Sequence, residues 1–482
     1  MIRAVLVEGL TLVGWLILAF YLVVTGVYVL IYASGVVELR EHLRESRVSP
    51  PFNRFASPSL PTIAVIVPAY NEAPTIVDSI QALTDLNYSR KELLVVNDGS
   101  TDATLEELVA AFELREIEAE VPIDIDCAPI EAVYRSETIE ELLVIDKENG
   151  GKGDALNAGV WFTDATLFCA LDADSLIDRD GLLGAVEPFL RRPDEIAATG
   201  GSVRVANGCE IEYSQVKAVG TSGSFIAGLQ EVEYLRAFYA GRLGYSRLRS
   251  LLIVSGAFGL FRTDFVREIG GYDTESVTED FDLVVRLHRH LVERGEEYRV
   301  EFVPEPVVWT QVPANWGALD RQRRRWYRGL LDTLVRERDA IGNPRYGRIG
   351  LFVLPAYTLT EGLGPLVEGA GYVLVGLSVA LGIVDPTLFV LFLAAANGIG
   401  ILFSWIGVLS EVLSFRRYDD PADVLVLMGH GVLENLGYRQ WKAVIAWRAL
   451  FEYARGDTSW GEMTRERFTD PEATDTDPED AD

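Results

Sequence analysis

The sequence predicts an α/β fold, in which a mostly parallel sheet forms a domain over residues 51–345, flanked by transmembrane and interfacial α-helices. Segments typical of buried strands alternate there with amphipathic segments, which favours parallel strands joined by right-handed crossovers. A run without charged residues extends from Gly9 to Val37, and a second apolar region begins near Ile349. About 20 apolar residues cross a bilayer as a helix.

The uncharged run near the N-terminus is too long for the apolar region of a signal peptide. Residues 1–50 are therefore predicted to form a retained anchor, with its span at about 10–36, and a linker. Arginines follow the run more densely than they precede it: Arg40, Arg44 and Arg47 against Arg3. The positive-inside rule then places the N-terminus outside and the sheet domain in the cytoplasm.

Residues 346–455 are predicted to form transmembrane and interfacial helices. The segment 349–384 contains two prolines and two glutamates, which indicates one long broken span or a short pair, whereas 387–410 form a cleaner span. Polar side chains recur along 422–455 at the spacing of one helix face, so this helix is predicted to lie at the interface or to line a polar passage. The acidic tail, 456–482, is predicted to be disordered.

Three strand segments of the domain end in acid-bearing turns. "TIAVIVPAY" is followed by Glu72, "ELLVVNDGS" contains Asp98, and "ATLFCALDADS" ends with Asp172 and Asp174. Between them lie two helical segments, "PTIVDSIQALTDL" and "TDATLEELVAAFEL", the second with a predicted cap at Ser100–Thr101. Ligands bind outside the carboxyl ends of parallel strands, so the sequence predicts a site where these turns meet.

The aspartates of these turns allow two interpretations each. Asp172 and Asp174 stand two residues apart, and carboxylates that close repel each other unless a cation neutralises them. Mg²⁺ or Mn²⁺ bridging diphosphate oxygens would do so, whereas the alternative is a solvated turn. Asp98 is either an ordinary turn residue or an acceptor of hydrogen bonds from a nucleotide's base or ribose.

Two further segments combine a helix start with reactive side chains. "ENGGKGDALNAG" at 148–159 brings Lys152, one of only five lysines, to a Gly-rich loop, which suits a phosphate or is simply flexible. Its spacing is not that of a Walker A loop. "TEDFDLVVRLH" at 278–288 begins with Thr278 as an ordinary helix cap, or else Asp280 accepts a proton from a sugar hydroxyl.

The segment "QRRRW" at 322–326 concentrates positive charge in an acidic chain. Arginines beside a membrane are expected on its cytoplasmic face, which accounts for Arg323 and Arg324. It does not account for Gln322 and Trp326, so a second role is expected for this segment.

Composition excludes some classes of function. The net charge of −29, from 72 acidic and 43 basic residues, leaves no broad basic face, so nucleic-acid binding is not expected. An acidic, lysine-poor composition is similar to that of proteins from salt-rich cytoplasm, which predicts a halophilic source. Isolated cysteines and histidines predict neither a disulfide framework nor a His-based metal site.

Together and in order, "VPAYNE", "VVNDGS", "KGDALNAG", "LDADS", "SGAFGLFR", "TED" and "QRRRW" resemble the motifs of the family 2 inverting glycosyltransferases. The resemblance is to the processive branch with cellulose, hyaluronan and chitin synthases, and within it to bacterial poly-β-1,6-N-acetylglucosamine synthases. It covers residues 60–345 and implies a GT-A-type, Rossmann-like fold. It is specific for the branch and only weakly specific for the sugar.

The resemblance implies a role for each matching residue. Nucleotide-sugar binding falls to five residues: Tyr70, Glu72, Asp98, Lys152 and Asp172. Contacts with the diphosphate and the acceptor fall to three: Gln322, Arg325 and Trp326. Asp174 would bind Mg²⁺ or Mn²⁺ together with Asp172, and Asp280, beside Glu279, would be the catalytic base.

The resemblance therefore predicts a metal-dependent, multi-pass enzyme of the cell membrane that polymerises a UDP-sugar, UDP-N-acetylglucosamine above all, into an extracellular β-linked polysaccharide. Its partners would be the donor, the growing glycan, the bilayer and accessory export or modification proteins. One alternative is a non-processive transferase that loads sugar onto a polyprenyl phosphate or glycolipid. Another is a catalytically silent channel or assembly subunit, against which intact Asp172, Asp174 and Asp280 count.

Overall fold

The computed structural model describes residues 2–48, 60–119, 127–212, 214–383 and 385–456. The strands are β1 (Ile63–Ala69), β2 (Lys91–Asp98), β3 (Leu114–Glu116), β4 (Ile130–Ser136), β5 (Leu142–Lys147), β6 (Leu167–Leu171), β7 (Leu176–Ile177), β8 (Ile196–Val205), β9 (Glu210–Glu212), β10 (Gln215–Ala218), β11 (Phe258–Arg262) and β12 (Arg299–Thr310). The predicted disordered tail from 457 onward and the linker after 48 lie outside the described residues.

A ten-stranded mixed sheet carries the strand order β3-β4-β5-β2-β1-β6-β11-β8-β12-β7. Its central strands, β5, β2, β1 and β6, are mutually parallel, as predicted. β11 runs antiparallel between β6 and β8, and β12 pairs parallel with β8. Since the parallel strands all end at one edge, the acid-bearing turns after β1, β2 and β6 meet there.

The helices are α1 (Ile2–Val48), α2 (Ile76–Thr84), α3 (Thr104–Phe112), α4 (Lys152–Phe162), α5 (Gly181–Arg191), α6 (Phe225–Arg236), α7 (Leu243–Arg247), α8 (Thr263–Glu268), α9 (Glu279–Arg294), α10 (Trp316–Arg336), α11 (Leu354–Tyr357), α12 (Gly364–Ala380), α13 (Pro386–Ser414), α14 (Pro421–Leu433) and α15 (Arg439–Ala454). Turns of π-helix cover four segments: Ala237–Arg242, Ile349–Val353, Thr358–Leu363 and Glu434–Tyr438.

The core lies on both faces of the sheet, because successive side chains of a strand point to opposite sides. On β1, Ile63, Val65 and Val67 pack into one apolar cluster, whereas Ala64 and Ile66 pack into another. Apart from the partly buried Pro68, each β1 side chain is at most 1% exposed. Burial on both faces explains why this segment is almost continuously apolar instead of alternating with polar residues.

Three helices within the described residues are long and apolar enough to cross a membrane: Val7–Glu45, Ile349–Ala380 and Leu393–Ser414. The second of them is one long span broken by π-turns and two prolines, the first of the two predicted possibilities. The 422–455 region was predicted as one helix, and that prediction is wrong. Leu436 and Gly437 have non-helical backbone angles that separate α14 from α15.

Glycine brings the N-terminal helix against the sheet domain. Gly35 on α1 lies over the carbonyl of Ala240, and Gly244 on α7 lies over the carbonyl of Ile31. A Cβ at either glycine would collide with that backbone, so the two segments approach more closely than bulkier residues allow. Helix α1 is therefore packed directly against the sheet domain.

One predicted helix cap is wrong, and a second, Thr278, occupies the predicted N-cap position without the hydrogen bond of a cap. α3 begins at Thr104, and Asp102, not a residue of the Ser100–Thr101 pair, accepts a hydrogen bond from the Thr104 amide at 3.0 Å. Thr278 precedes α9, but its side chain accepts no capping hydrogen bond. The N-cap position of α3 is Ala103, and the Asp102 carboxylate just before it accepts from the Thr104 amide and hydroxyl.

Candidate active site

All of the residues to which the sequence assigned a role line one cavity of 1810 Å³. The turns after β1 and β2 are tied together at one end of it. Asn71, whose φ is 57°, accepts a hydrogen bond from the Thr101 amide at 2.8 Å, and the Glu72 amide donates to Thr104 at 2.8 Å. Tyr70 stays 47% exposed, whereas Glu72 is buried. These hydrogen bonds thus hold the turn after β1 against the turn after β2.

Asp98 holds the Gly-rich loop in place. It is 3% exposed, and its carboxylate accepts hydrogen bonds from Lys147 Nζ at 2.6 Å and from the Gly150 and Gly151 amides at 3.0 and 2.7 Å. Gly151 has a φ of 89°, which favours glycine just before α4. Asp98 therefore shapes the loop that faces the cavity, and its predicted contact with a nucleotide stays a prediction.

Lys147 is a residue of this region that the sequence analysis missed. Its side chain is fully buried and pairs with Asp98 and, at 2.5 Å, with Asp154. Burial opposes its charge, but hydrogen bonds to Asp154 and Asp98 outweigh burial and raise the Lys147 pKa. Its position at the end of a strand, in a chain with only five lysines, was the signal available.

Lys152, at the start of α4, joins the two carboxylate motifs. Its Nζ lies 2.5 Å from Asp172 and 3.3 Å from Glu279, and it donates to the Gly256 carbonyl at 3.2 Å. Burial disfavours its charge, but the charges of Asp172 and Glu279 outweigh burial and raise the Lys152 pKa. Lys152 is thus the cation shared by the Asp172–Asp174 turn and the start of α9.

Negative charge remains in excess around this lysine. Burial first, and then the charge of Asp172, raise the pKa of Asp174 to about 6. Burial and the neighbouring Asp280 also raise the pKa of Glu279, although Lys152 opposes them. Burial and like charge both disfavour the ionised form, and the single charge of Lys152 does not offset them. The turn after β6 therefore favours a bound cation.

The donor set tests whether a metal fits. Within the part of the chain that the structure describes, no group of three or more His, Cys, Asp or Glu side chains could hold an ion alone. Asp172 and Asp174 supply carboxylate oxygens, which Mg²⁺ and Mn²⁺ prefer, but too few to complete a coordination shell. The residues fit an ion that shares its remaining ligands with water and a bound diphosphate.

Asp280, in the first turn of α9, is held by two backbone amides. Its Oδ2 accepts from Gly256 and its Oδ1 from Phe281, both at 2.8 Å. A Cβ on Gly256 would lie 3.1 Å from Lys152 Nζ and 3.2 Å from Asp280 Oδ2, so glycine keeps this approach open. The carboxylate is fixed in one orientation on the cavity wall, as a proton acceptor requires.

Helix α10 forms the opposite wall and carries the "QRRRW" segment. Gln322 Oε1 is buried and, among the described residues, accepts no hydrogen bond. Burial lowers the pKa of Arg325, although the negative charges of Glu279 and Asp172 act to raise it. Trp326 is 37% exposed. An amide side chain, a cation and an indole face therefore line the cavity from one helix.

Arg323 and Arg324 do more than mark the membrane face. The Arg323 guanidinium lies 4.5 Å from the centre of the Trp326 ring and pairs with Glu233 at 2.8 Å, and so covers one side of the indole. Arg324 pairs with Asp320 at 2.8 Å and also with Glu452. Both arginines therefore fix α10 to its neighbours, a role that the sequence analysis missed.

The cavity continues between the membrane helices. Charged side chains there are paired across helices: Arg236 with Glu434 at 2.6 Å, Arg439 with Glu368 at 2.8 Å, and Lys442 with Glu233 at 2.9 Å. Tyr28 on α1 donates to Glu361 at 2.8 Å. Glu434, Arg439 and Lys442 thus line a polar part of the cavity. Of the polar face predicted along 422–455 only Glu434 is among the lining residues, so a passage lined by that face stays a prediction.

Comparison with known proteins agrees with this architecture. A model described as glycosyl transferase family group 2 matches residues 167–406, and one for glycosyl transferase family 2 matches residues 64–121. Poly-β-1,6-N-acetyl-D-glucosamine synthases of Staphylococcus aureus (strain COL) and Staphylococcus epidermidis are 27% and 26% identical over 293 and 276 residues, 61% and 57% of this chain. The matches span 60% and 56% of those relatives.

A solved mannosyltransferase from Pyrobaculum calidifontis, in complex with GDP-mannose and Mn²⁺, is similar in structure. It superposes with a TM-score of 0.50 at 18% identity and covers 86% of this chain and 99% of its own. At that identity the likeness concerns the fold, and it confirms the GT-A-type sheet that the motifs implied.

Proposed function

The chain belongs to the family 2 glycosyltransferases, and from this we propose that it polymerises UDP-N-acetylglucosamine processively into a β-linked polysaccharide. One observation carries the proposal. The same cavity joins the carboxylates at the strand ends to a polar passage between apolar helices, so donor, acceptor and exit route share one space. A transferase that adds a single sugar to a lipid has no need of that passage.

The chemistry is a single displacement. The acceptor hydroxyl attacks the anomeric carbon of the donor, the new C–O bond forms on the face opposite the leaving group, and UDP leaves with the electron pair of the broken bond. Asp280 takes the hydroxyl proton, because its carboxylate is oriented by the Gly256 and Phe281 amides at the cavity wall. Attack from the opposite face inverts the anomeric centre and gives the β-linkage.

Charge on the leaving diphosphate is met by residues of both walls. Asp172 and Asp174 would hold a divalent cation, which when bound supplies electrostatic stabilisation of the leaving group. Arg325 on α10 faces Asp172 and Glu279 and is positioned to bind the diphosphate from the other side. Gln322 lines the same cavity one turn before Trp326, and we assign its amide to the acceptor end.

Processive synthesis requires the new chain end to remain beside the donor after each transfer. Trp326 suits that task, because its indole face is rigid, exposed to the cavity and covered on one side by Arg323. A pyranose ring presents a flat apolar face that packs on such a surface. The paired charges beyond it leave hydrogen-bonding groups along the passage without a strong net charge.

The proposed donor rests on the similar proteins, and the proposed membrane topology rests on the three candidate spans. The staphylococcal relatives are named for poly-β-1,6-N-acetyl-D-glucosamine synthesis, which favours UDP-N-acetylglucosamine as the substrate. We place the catalytic domain, residues 51–345, in the cytoplasm and the three candidate spans in the cell membrane, with the N-terminus outside. The polysaccharide would then emerge on the outer face.

The test is reconstitution of the purified protein in lipid nanodiscs with a panel of UDP-sugars and Mg²⁺ or Mn²⁺. We expect UDP release and a ladder of long products with UDP-N-acetylglucosamine, followed by digestion of that product with a β-1,6-specific glycosidase. A product of one sugar on a polyprenyl phosphate or glycolipid would replace this proposal with the non-processive alternative. No turnover with any donor would favour the silent subunit.

A further inference from the structure

Arg242 ends the π-helical segment Ala237–Arg242 and lines the cavity. Its guanidinium carbon lies 3.9 Å from the centre of the Phe238 ring. Among the described residues, no carboxylate, hydroxyl or carbonyl forms a hydrogen bond or ion pair with it. One face of the guanidinium is thus stacked on an aromatic ring, and its N–H groups are left to the cavity. Turns of π-helix occur frequently at functional sites.

Five other cations of the cavity differ from Arg242. Each of the following pairs with a carboxylate at 2.9 Å or less: Lys152, Arg236, Arg323, Arg439 and Lys442. An arginine carries five N–H donors, and a guanidinium withdrawn from bulk water without acceptors is costly. Burial accordingly lowers the Arg242 pKa to about 10. A ligand that supplies oxygens would satisfy these donors.

The surroundings of Arg242 place it on the acceptor side of Asp280. The charge of Asp280 is its strongest attractive interaction, followed by those with Tyr357 and Tyr234. Tyr357 belongs to the helix that enters the membrane, and its ring lies 5.3 Å from that of Phe281. Arg242 therefore lines the same cavity as Asp280, next to the candidate span that carries Tyr357, where the end of an incoming chain would be held.

The local charge balance indicates the class of ligand. Asp172, Asp174, Glu279 and Asp280 face three cations, Lys152, Arg325 and Arg242, so carboxylates already outnumber positive groups. A bound donor adds the negative charge of its diphosphate, and the metal that binds with it offsets that charge. A further anion at the acceptor position would be repelled, whereas neutral oxygens accept hydrogen bonds without adding charge.

We propose that Arg242 binds the terminal sugar of a neutral glycan acceptor, through hydrogen bonds to its acetamido carbonyl or hydroxyl oxygens, and so holds the attacking end beside Asp280. The inference rests on the proposed glycosyltransferase function and deepens it, because it names a residue that recognises the acceptor and the uncharged chemistry of that acceptor. In this proposal, Arg242 does not contact the donor.

The test compares acceptor and donor kinetics in nanodiscs. Wild type, Arg242→Met and Arg242→Lys receive UDP-N-acetylglucosamine and a β-linked N-acetylglucosamine tetrasaccharide. Loss of one or two hydrogen bonds in Arg242→Met should raise the acceptor KM about tenfold, whereas the donor KM should stay within about twofold. Arg242→Lys keeps the positive charge but loses the forked arrangement of N–H donors. Its acceptor KM should therefore lie between the values of wild type and Arg242→Met. Arg345→Met, an exposed arginine beside Tyr346 and outside the cavity, is the matched control.

Several results would overturn the assignment. If the acceptor KM and the donor KM rise equally in Arg242→Met, Arg242 has a structural role. If neither KM changes, Arg242 does not bind the acceptor. If Arg242→Met does not fold, Arg242→Lys decides alone through the same split of KM values. If wild type turns over no UDP-N-acetylglucosamine, the proposed function fails separately, and tetrasaccharide binding measured by tryptophan fluorescence decides instead. Transfer to polyprenyl phosphate that weakens in Arg242→Met would show that Arg242 serves an anion.

Discussion

The two ends of the cavity balance charge in opposite ways. At the donor end, Asp172, Asp174, Glu279 and Asp280 exceed the cations beside them, and the pKa values of Asp174 and Glu279 are raised. At the membrane end, the carboxylates of Glu233, Glu368 and Glu434 pair with arginine or lysine from another helix. Under the proposed function, the donor end would reach neutrality only with metal and substrate bound, whereas the charges of the membrane end are paired within the protein.

Under the proposed function, this difference would separate the transfer reaction from the movement of the glycan chain. Unbalanced charge is useful where a cation and a diphosphate must bind and leave. Balanced charge is useful where a sugar chain must slide, because an unpaired ion would hold it or cost solvation. Substitutions at the donor end should therefore remove turnover, and those at the membrane end should change the length of the product.

The largest effect is expected from Asp280→Asn. The amide keeps the size of the side chain but cannot accept the proton, so turnover should fall by about 10²-fold or more. Binding of UDP-N-acetylglucosamine, measured by calorimetry, should survive, since the contact proposed for Asp280 is with the acceptor. UDP release within a few-fold of wild type would reduce Asp280 to a helix-terminal residue and would erase the contrast between the two ends.

Asp174→Asn should come next. It removes a charged metal ligand while the buried position accommodates an amide, so metal-dependent turnover should fall at least about tenfold with the melting temperature preserved. The measurement is UDP release against Mn²⁺ or Mg²⁺ concentration. Full wild-type activity in excess chelator would contradict the assignment of a metal to this turn.

Trp326→Ala should change product length more than turnover. The chain end loses its stacking surface, so polymer should shorten or disappear, whereas hydrolysis of the donor by water should fall less than about threefold. The measurement is product length on a gel beside UDP release. Trp316→Ala is the matched control, because Trp316 is on the same helix, exposed and outside the cavity. Equal shortening in both variants would argue against a stacking role.

Tyr28→Phe should have the smallest effect. It removes the hydroxyl that donates to Glu361 in the membrane passage, a loss of about 1 kcal/mol, and should shorten the polymer modestly without changing donor hydrolysis. Tyr88→Phe, which removes a hydrogen bond to Pro61 outside the cavity, is the control. A loss of turnover in Tyr28→Phe would mean that the passage and the donor end are coupled.

The sequence by itself determined the elements of the donor end. Strands rich in aliphatic residues and the turns after them are local features, so the carboxyl-end placement of Glu72, Asp98, Asp172 and Asp174 followed from alternation and chain order. The three apolar helices followed from hydropathy. The roles of these residues, the domain boundaries and the halophilic source remain predictions.

Only the tertiary structure decided the partners. Arg204 on β8 meets Glu411 on α13 at 2.6 Å, and Arg323 meets Glu233 at 2.8 Å, although neither pair is close in sequence. Hydropathy and periodicity report which face of an element is buried, but not which element packs on it. The break between α14 and α15 and the unpaired Arg242 depend on such packing, because backbone angles and partners are set by neighbours distant in the chain.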